Sequence, residues 1–207
     1  MRMLRDMVMI NLAVLVVLCA VPLTEAAAAA QCPAIQDGCN CRKRIRNNAL
    51  FCENMGALEF VPPFSASDLI FEDFYISDRT TVEQIQAYAF QELRLKKMRM
   101  QSLGITTLDI LAFAGIDTSV LLQVYFDDNH IAEIIPGTFS DLDQVTYLGL
   151  QNNELTTVET GLLQDVINLR YLYLFHNKIS SLPPDCFQGL EKLTGLYLQL
   201  NELTTLP

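Results

Sequence analysis

The chain has 207 residues, 51% of them hydrophobic, and a formal net charge of −10 at pH 7. This length allows one domain or a small array of repeats. A strongly acidic chain is repelled by phosphate groups, so the charge argues against nucleic acid as its partner.

The first thirty residues have the pattern of a secretory signal peptide. Two arginines precede the apolar stretch MVMINLAVLVVLCAVPL at residues 7–23, and small residues follow at Ala26 to Ala30. A basic start, an apolar stretch and a small-residue cleavage site are typical of such a signal. A membrane anchor is the alternative, but the stretch contains Asn and Pro and falls short of the ~20 apolar residues that a span requires. We therefore predict a signal peptide over residues 1–30 and an extracellular product.

Four cysteines follow the predicted signal, at Cys32, Cys39, Cys41 and Cys52. In an exported protein, an even set at close spacing indicates two disulfides, and the sequence alone leaves three pairings open. A zinc site is the alternative, but the C-x6-C-x-C-x10-C spacing has no C-x2-C pair and no nearby His. We therefore predict disulfides and no metal. Cys186 is left over, and we expect it to be a buried small apolar side chain rather than an intermolecular disulfide.

A repeat of 24 residues dominates the rest of the chain. It is marked by asparagines at Asn129, Asn153, Asn177 and Asn201, each in the frame L-x-x-L-x-L-x-x-N-x-L with other apolar residues allowed. Two weaker copies begin at Phe71 and Leu95, and have Arg79 and Leu103 in place of Asn. A second apolar marker follows each frame, at Phe90, Phe113, Phe139, Leu163 and Phe187. Self-similarity at a fixed period indicates a solenoid of stacked repeats.

The frame also predicts which side chains face inward. Residues alternate in and out along a strand, so the Leu positions face a core that no single repeat could bury alone. The Asn at the end of each strand turns inward, where its amide can satisfy backbone groups of the turn. Stacked copies are therefore expected to form a parallel sheet with an asparagine ladder along one edge.

This frame resembles that of the leucine-rich repeat family over residues 71–207. The resemblance implies an α/β solenoid, a horseshoe with a parallel concave sheet, with about six repeats of which the last is incomplete. Residues 31–70 resemble the cysteine-rich N-terminal cap of extracellular family members. That likeness implies the bonds Cys32–Cys41 and Cys39–Cys52. The chain stops at Pro207 in mid-repeat, so we expect a truncated product or a fragment of a longer, membrane-anchored parent.

The outward frame positions carry six of the seven tyrosines: Tyr75, Tyr125, Tyr147, Tyr171, Tyr173 and Tyr197. Phe175 and His176 lie at the seventh and eighth frame positions of one repeat, and Asp127 and Asp128 at those of another. Strand propensity accounts for tyrosine in strands but not for its concentration on one face. Exposed aromatic patches mark interaction sites, and Tyr is a favoured hot-spot residue. We predict that these residues and Gly149 bind a protein ligand or receptor.

Two glycines interrupt the predicted face. Adjacent strands lie ~4.8 Å apart, so Gly149 is expected to leave a notch between Tyr125 and Tyr173. Gly195 is expected to leave another notch beside Tyr171. We hypothesise that a partner inserts a basic side chain beside Gly149.

The remaining chemistry points to no catalytic residue, cofactor or metal ligand, since the two histidines lack the partners that such sites need. The sequence therefore favours a non-enzymatic, secreted binding module, or a cell-surface one if the chain is a fragment. A non-catalytic accessory subunit of a secreted enzyme complex is the alternative. The segment FEDFYISDRTTVEQIQAYAF at residues 71–90 is similar to crustacean secreted repeat proteins grouped with the non-catalytic subunit of decapod luciferase.

Overall fold

The computed structural model describes residues 17–18, 33–34, 40–44, 49–53, 57–60, 70–76, 81–91 and 93–205, with side chains from residue 72 onward. Most of the predicted signal peptide, the side chains of the four clustered cysteines, Arg79 and Pro207 lie outside the described residues. The signal, the cap and its disulfides therefore stay predictions.

The described residues contain fifteen strands in four sheets. The largest sheet has eight strands: β3 (Asn40–Arg44), β4 (Ala49–Glu53), β7 (Asp73–Ile76), β10 (Lys97–Arg99), β12 (Gln123–Tyr125), β13 (Tyr147–Gly149), β14 (Tyr171–Tyr173) and β15 (Gly195–Tyr197). A three-stranded sheet contains β5 (Ala57–Phe60), β8 (Thr81–Ile85) and β11 (Thr107–Leu108). The other two are the pairs β1 (Val17–Leu18) with β2 (Pro33–Ala34), and β6 (Ile70–Phe71) with β9 (Arg94–Leu95).

The large sheet confirms the predicted frame and its register. Strands β4, β7, β10, β12, β13, β14 and β15 pair in parallel in chain order. Met98 of β10 lies opposite both Phe74 and Val124, and Leu148 lies opposite Leu172. The two early repeats that lack the ladder Asn thus follow the same register as the later ones.

A hairpin extends this sheet at its N-terminal end. Strand β3 pairs antiparallel with β4, and β4 pairs in parallel with β7, with Leu50 opposite Phe74. The hairpin register sets Cys41 opposite Cys52, whereas the predicted bonds join other pairs.

The core is a continuous row of buried apolar side chains that runs through the described repeats, from Phe74 to Leu190. Phe113 is the centre of an aromatic cluster, with ring centroids 5.6 Å from Phe90, 5.9 Å from Phe126 and 5.9 Å from Phe139. All four rings are at most 1% exposed. A fully buried side chain of this kind contributes roughly 1.5–3 kcal/mol. The second apolar marker of the repeat is therefore a core position, as its spacing predicts, and Cys186 is buried with it.

The segments that return from one strand to the next form turns in each described repeat, with no α-helix among the described residues. These turns lie on the side opposite the large sheet, which we call the convex side. A helix long and apolar enough to cross a membrane is likewise not found in that part of the chain.

The asparagine ladder is confirmed for the four repeats that contain it. The side-chain N–H groups of Asn153 donate to the carbonyl of Phe126 in the preceding repeat (2.9 Å) and to that of Leu150 (3.1 Å). Its Oδ1 accepts the backbone N–H of Ile131 at 3.0 Å. Asn129, Asn177 and Asn201 make the equivalent bonds. The ladder thus joins each repeat to the one before it.

Candidate partner-binding face

Two rows of side chains run across the parallel strands on the outward side. The third frame position supplies Asp73, Lys97, Gln123, Tyr147, Tyr171 and Gly195, and the fifth supplies Tyr75, Arg99, Tyr125, Gly149, Tyr173 and Tyr197. The tyrosines of both rows are half-buried or exposed, whereas Leu148 and Leu172 between them are fully buried. The structure therefore places all six predicted tyrosines outward.

Four of these tyrosines stack across four repeats, and we call Tyr125, Tyr147, Tyr173 and Tyr197 the tyrosine stack. Successive ring centroids are 4.6, 4.8 and 4.4 Å apart. The last pair is nearly parallel, at 9°, and the other two are tilted by 34° and 31°. Aromatic pairs of this kind stabilise by about 0.5–1.5 kcal/mol beyond their area burial. The stack is thus a preorganised ridge.

The predicted notches are wrong, because aromatic rings of the same face fill them. A Cβ atom at Gly149 would lie 3.3 Å from Cε1 of Tyr147, whose ring leans across from the neighbouring row. A Cβ atom at Gly195 would lie 2.8 Å from Cδ1 of Tyr171. Both glycines therefore make room for the protein's own rings, and the face is continuous where the sequence predicts gaps.

The stack presents ring edges and hydroxyls to solvent, since the ring faces lie against one another. Burial, and secondarily the nearby Tyr125 hydroxyl, raise the pKa of Tyr147 above its usual value. Its hydroxyl therefore remains a hydrogen-bond donor at neutral pH. The Tyr125 hydroxyl donates to Oε1 of Gln123 at 2.9 Å. A partner would meet a line of edges and polar tips here rather than flat aromatic surfaces.

Arg99, which the sequence analysis did not single out, lies at one end of the tyrosine stack. The guanidinium carbon of Arg99 lies 5.4 Å from the ring centroid of Tyr125, within cation–π range. Its Nε donates to Oδ1 of Asp73 at 2.9 Å. Tyr75 lies on the far side of Arg99, in the same row. The repeat frame could have indicated this residue, because Arg99 occupies the fifth frame position in the strand next to that of Tyr125.

Two further predicted aromatics flank the stack. Tyr171 is 40% exposed and contacts the Cα region of Gly195. Phe175 meets Tyr173 edge-on, with ring centroids 6.4 Å apart and an interplanar angle of 72°. These rings widen the apolar surface on the β14 side of the ridge.

Asp127, which the sequence predicts to contact the partner, is buried in the structure. It is only 6% exposed, and its Oδ2 accepts the amide of Gln101 at 2.6 Å. Its Oδ1 and the Oε1 of Gln151 are buried acceptors without a hydrogen-bond partner. Both oxygens lie near Gly149, at 3.6 and 3.2 Å from the position of its absent Cβ. Burial raises the pKa of the Asp127 carboxyl, and at 6% exposure little of this side chain is open to a partner.

Replacing Asp127 by asparagine should stabilise the protein by about 1 kcal/mol at pH 7, because the new amide can donate to Gln151 while its oxygen accepts from Gln101. The pKa of Asp127 is raised in the folded state, so protonated Asp127 stabilises the wild-type protein. This stabilisation is fully present below the unfolded pKa near 3.9 and is lost as pH rises through the folded pKa. The advantage of Asp127→Asn should therefore disappear in acid. Urea unfolding at several pH values measures this.

The matched control for that substitution is Asp128→Asn, which removes the same charge from an exposed neighbour. At pH 7 it should not stabilise the protein, because Asp128 is exposed and accepts a hydrogen bond from the amide of Asn152 at 2.8 Å. If Asp127→Asn lowers stability at pH 7 instead, then Gln151 donates its amide to the charged Asp127 carboxylate, and the stabilisation expected above is contradicted.

The eighth frame positions form a second line, at the turn that follows each strand. Ser102, Asp128, Asn152, His176 and Leu200 all have φ between 55° and 58°, the left-handed region. The amide of Asn152 donates to Oδ1 of Asp128 at 2.8 Å, and Nδ1 of His176 lies 2.7 Å from Oδ1 of Asn152. Asp128 and His176 thus remain exposed, but they belong to a hydrogen-bonded chain that borders the ridge.

The part of the chain with described side chains holds no group of three or more His, Cys, Asp or Glu residues arranged for a metal ion. His130 lies apart from the ridge, with Nδ1 3.2 Å from a carboxylate oxygen of Glu154. The groups that this face offers to a ligand are aromatic edges, hydroxyls and a few charged side chains.

Comparison with known proteins agrees with this architecture. Residues 119–179 and 167–207 match the family model described as "Leucine rich repeat". Together with the parallel sheet and the ladder, this match confirms a leucine-rich repeat horseshoe. No curated protein sequence matched the chain.

Three similar solved structures share the fold. A chain of the LRIM1/APL1C complex has a TM-score of 0.62 and 19% identity, and the match covers 76% of this chain and 30% of that one. A chain of the octameric complex of Latrophilin 3, Unc5D and FLRT2 has a TM-score of 0.54 and 23% identity, with 63% of this chain and 38% of that one covered. A chain of the TLR13–ssRNA13 complex has a TM-score of 0.56 and 21% identity, with 77% of this chain and 26% of that one covered. The chain thus spans less than half the length of each. At these identities the likeness concerns the fold alone.

Proposed function

We propose that this leucine-rich repeat protein is a non-enzymatic extracellular module that binds a protein partner across its concave face, with the tyrosine stack at the centre. The observation that carries the proposal is the continuity of the stack across four repeats, with centroid spacings of 4.4 to 4.8 Å. Rings that are already held in place lose little conformational entropy on binding, and preorganisation of this kind raises affinity.

A protein partner suits the chemistry of this face. Tyrosine supplies large contact area and a hydroxyl donor at low entropic cost, which makes it a frequent hot-spot residue. Two of the similar structures are protein complexes, LRIM1 with APL1C and FLRT2 with Latrophilin 3 and Unc5D. A third is a complex with RNA, but residues 100–169 of this chain contain ten carboxylates and no Lys or Arg. That charge disfavours a phosphate backbone.

The N-terminal features of the sequence support the proposed extracellular localisation. The signal pattern over residues 1–30 and the clustered cysteines support secretion, or display at the cell surface if the chain belongs to a longer parent. An accessory subunit of a secreted enzyme complex would use the same face, and its partner would then be an enzyme.

The double substitution Tyr171→Ser/Tyr173→Ser should weaken partner binding at least tenfold, about 1.4 kcal/mol, because it removes the most exposed tyrosine of the concave face and interrupts the stack. The partner is first captured from native secreted fluid with the wild-type protein and identified. Its dissociation constant is then measured for wild type and variant, with thermal unfolding to verify that the variant folds.

The matched control is Tyr88→Gly, which removes the one tyrosine that lies off this face. It should bind the concave partner with wild-type affinity. Equal affinity of wild type and the Tyr171→Ser/Tyr173→Ser variant would remove the concave-face proposal. An enzyme as the captured partner would assign the protein to the accessory-subunit alternative.

A further inference from the structure

The seventh tyrosine lies on the convex side, in a strained turn. Tyr88 has a φ of 59° and is 47% exposed. Tyr88 lies two residues before the apolar marker of its repeat. Glycines occupy the same position in two later repeats, Gly137 and Gly161, with φ of 97° and 83°. A bulky residue with positive φ is a genuine outlier, since the left-handed region costs an L-residue roughly 1–2 kcal/mol. Strain of this kind concentrates at functional sites.

Exposed aliphatic side chains lie in the corresponding turns of the next two repeats, and we call Tyr88, Ile110, Leu111 and Ile135 the convex patch. The backbone N–H of Tyr88 donates to the carbonyl of Leu111 at 2.8 Å, so the two turns are adjacent. Cδ1 of Ile110 lies 3.5 Å from the Cβ position of Gly137, two residues beyond Ile135. The four side chains are between 43% and 50% exposed. Three successive repeats therefore present one apolar strip on the side opposite the tyrosine stack.

The charged residues nearest in sequence to the members of the convex patch are carboxylates. Exposed carboxylates precede its members in all three repeats: Glu83 is five residues before Tyr88, Asp109 adjoins Ile110, and Glu133 is two residues before Ile135. Oδ1 of Asp109 accepts the backbone N–H of Leu111 at 2.8 Å, which holds that carboxylate at the edge of the patch. The described segments 81–91, 104–118 and 130–144 contain no Lys or Arg. Arg94 pairs with Asp117 at 2.7 Å, and the remaining carboxylates leave a net negative charge, which attracts cationic groups and repels anionic lipid and nucleic acid.

We propose that the convex patch binds a cationic amphipathic helix of a protein partner, independently of the concave face. The apolar face of such a helix covers the aliphatic strip, and its Lys or Arg residues meet the flanking carboxylates. Three repeats at ~4.8 Å spacing give a strip about 10 Å long, which matches about two helical turns. An amphipathic helix in an apolar groove is a recurrent mode of peptide recognition.

The test uses a fluorescent peptide of roughly 15 residues, made of Leu and Lys with all Leu on one helical face, and measures anisotropy with the full secreted protein. Tyr88→Gly/Leu111→Ser should weaken binding at least tenfold. Glycine fits the left-handed backbone at residue 88, and residue 111 is exposed, so the variant should fold, as thermal unfolding verifies. The concave variant Tyr171→Ser/Tyr173→Ser should retain wild-type affinity.

Two control peptides separate this site from general charge attraction. An isomer with the same Leu and Lys composition, ordered so that no face is apolar, should bind at least tenfold more weakly. A version with Glu in place of Lys should not bind. Equal affinity for the two Lys isomers, or equal affinity of wild type and the Tyr88→Gly/Leu111→Ser variant, overturns the proposal. Since the concave variant is measured in parallel, failure here leaves the concave-face proposal untouched.

Discussion

Replacing Phe113 by alanine is expected to lower the free energy of unfolding by about 3–5 kcal/mol, the cost of deleting a buried aromatic ring and leaving a cavity. Phe113 contacts Phe90, Phe126 and Phe139 with ring centroids 5.6 to 5.9 Å away, and is 1% exposed. The loss therefore affects three successive repeats at once. Urea denaturation followed by circular dichroism measures it as a lower midpoint.

The chain offers a matched control at the same position of a later repeat. Phe187 is the equivalent marker and is only half-buried, so Phe187→Ala should cost clearly less than Phe113→Ala. Repeats contact mainly their neighbours, and stability is approximately a sum over repeats and their interfaces. Equal losses of stability in the two variants would show that the row of aromatic side chains is not the continuous core that the ring distances indicate.

The parts of the fold that could be predicted are those that repeat. Leu172 is buried and Asn177 forms its ladder bonds because the same frame recurs every 24 residues, and only one arrangement buries every copy. Periodicity even predicted the register of the strand around Met98, where the ladder Asn is replaced by Leu103. The adjacent repeat compensates there, since Oδ1 of Asn129 accepts the N–H groups of both Leu103 and Ile105.

The details of the concave face could not be predicted, because they depend on the direction of each side chain rather than on its position. A strand model treats Gly149 as a gap, whereas the ring of Tyr147 leans into the neighbouring row and fills it. The same frame position that exposes a side chain elsewhere buries Asp127 beneath this arrangement. The direction and burial of these side chains depend on contacts between repeats, and the sequence pattern of a single repeat does not specify those contacts.

The turn after each strand was only partly predictable. Asp128 and Asn152 favour the left-handed backbone because their short polar side chains bond locally. His176 is also of a type enriched in this region, whereas Ser102 and Leu200 adopt the same conformation without that preference, since stacking forces each repeat into the turn of its neighbour. Local propensity thus indicates the turn in three repeats, and the solenoid imposes it on the other two.

Replacing Asn153 by alanine is expected to destabilise the protein by about 3 kcal/mol, since it leaves several buried backbone groups unsatisfied at about 1 kcal/mol or more each. The side chain is 7% exposed, donates to the carbonyls of Phe126 and Leu150, and accepts the N–H of Ile131. An alanine cannot replace these bonds, and the site offers water little access. Because two of the bonds reach the preceding repeat, the variant weakens an interface between repeats as well as a turn.

Asn201→Ala is the control, because Asn201 makes the same type of bonds from a partly exposed position. Water can satisfy the groups that it releases, so its loss of stability should be smaller than that of Asn153→Ala. Amide hydrogen exchange of Ile131 should accelerate in Asn153→Ala, whereas exchange of Ile179 should accelerate in Asn201→Ala. An unchanged exchange rate at Ile131 would mean that the ladder bond contributes nothing to holding the two repeats together.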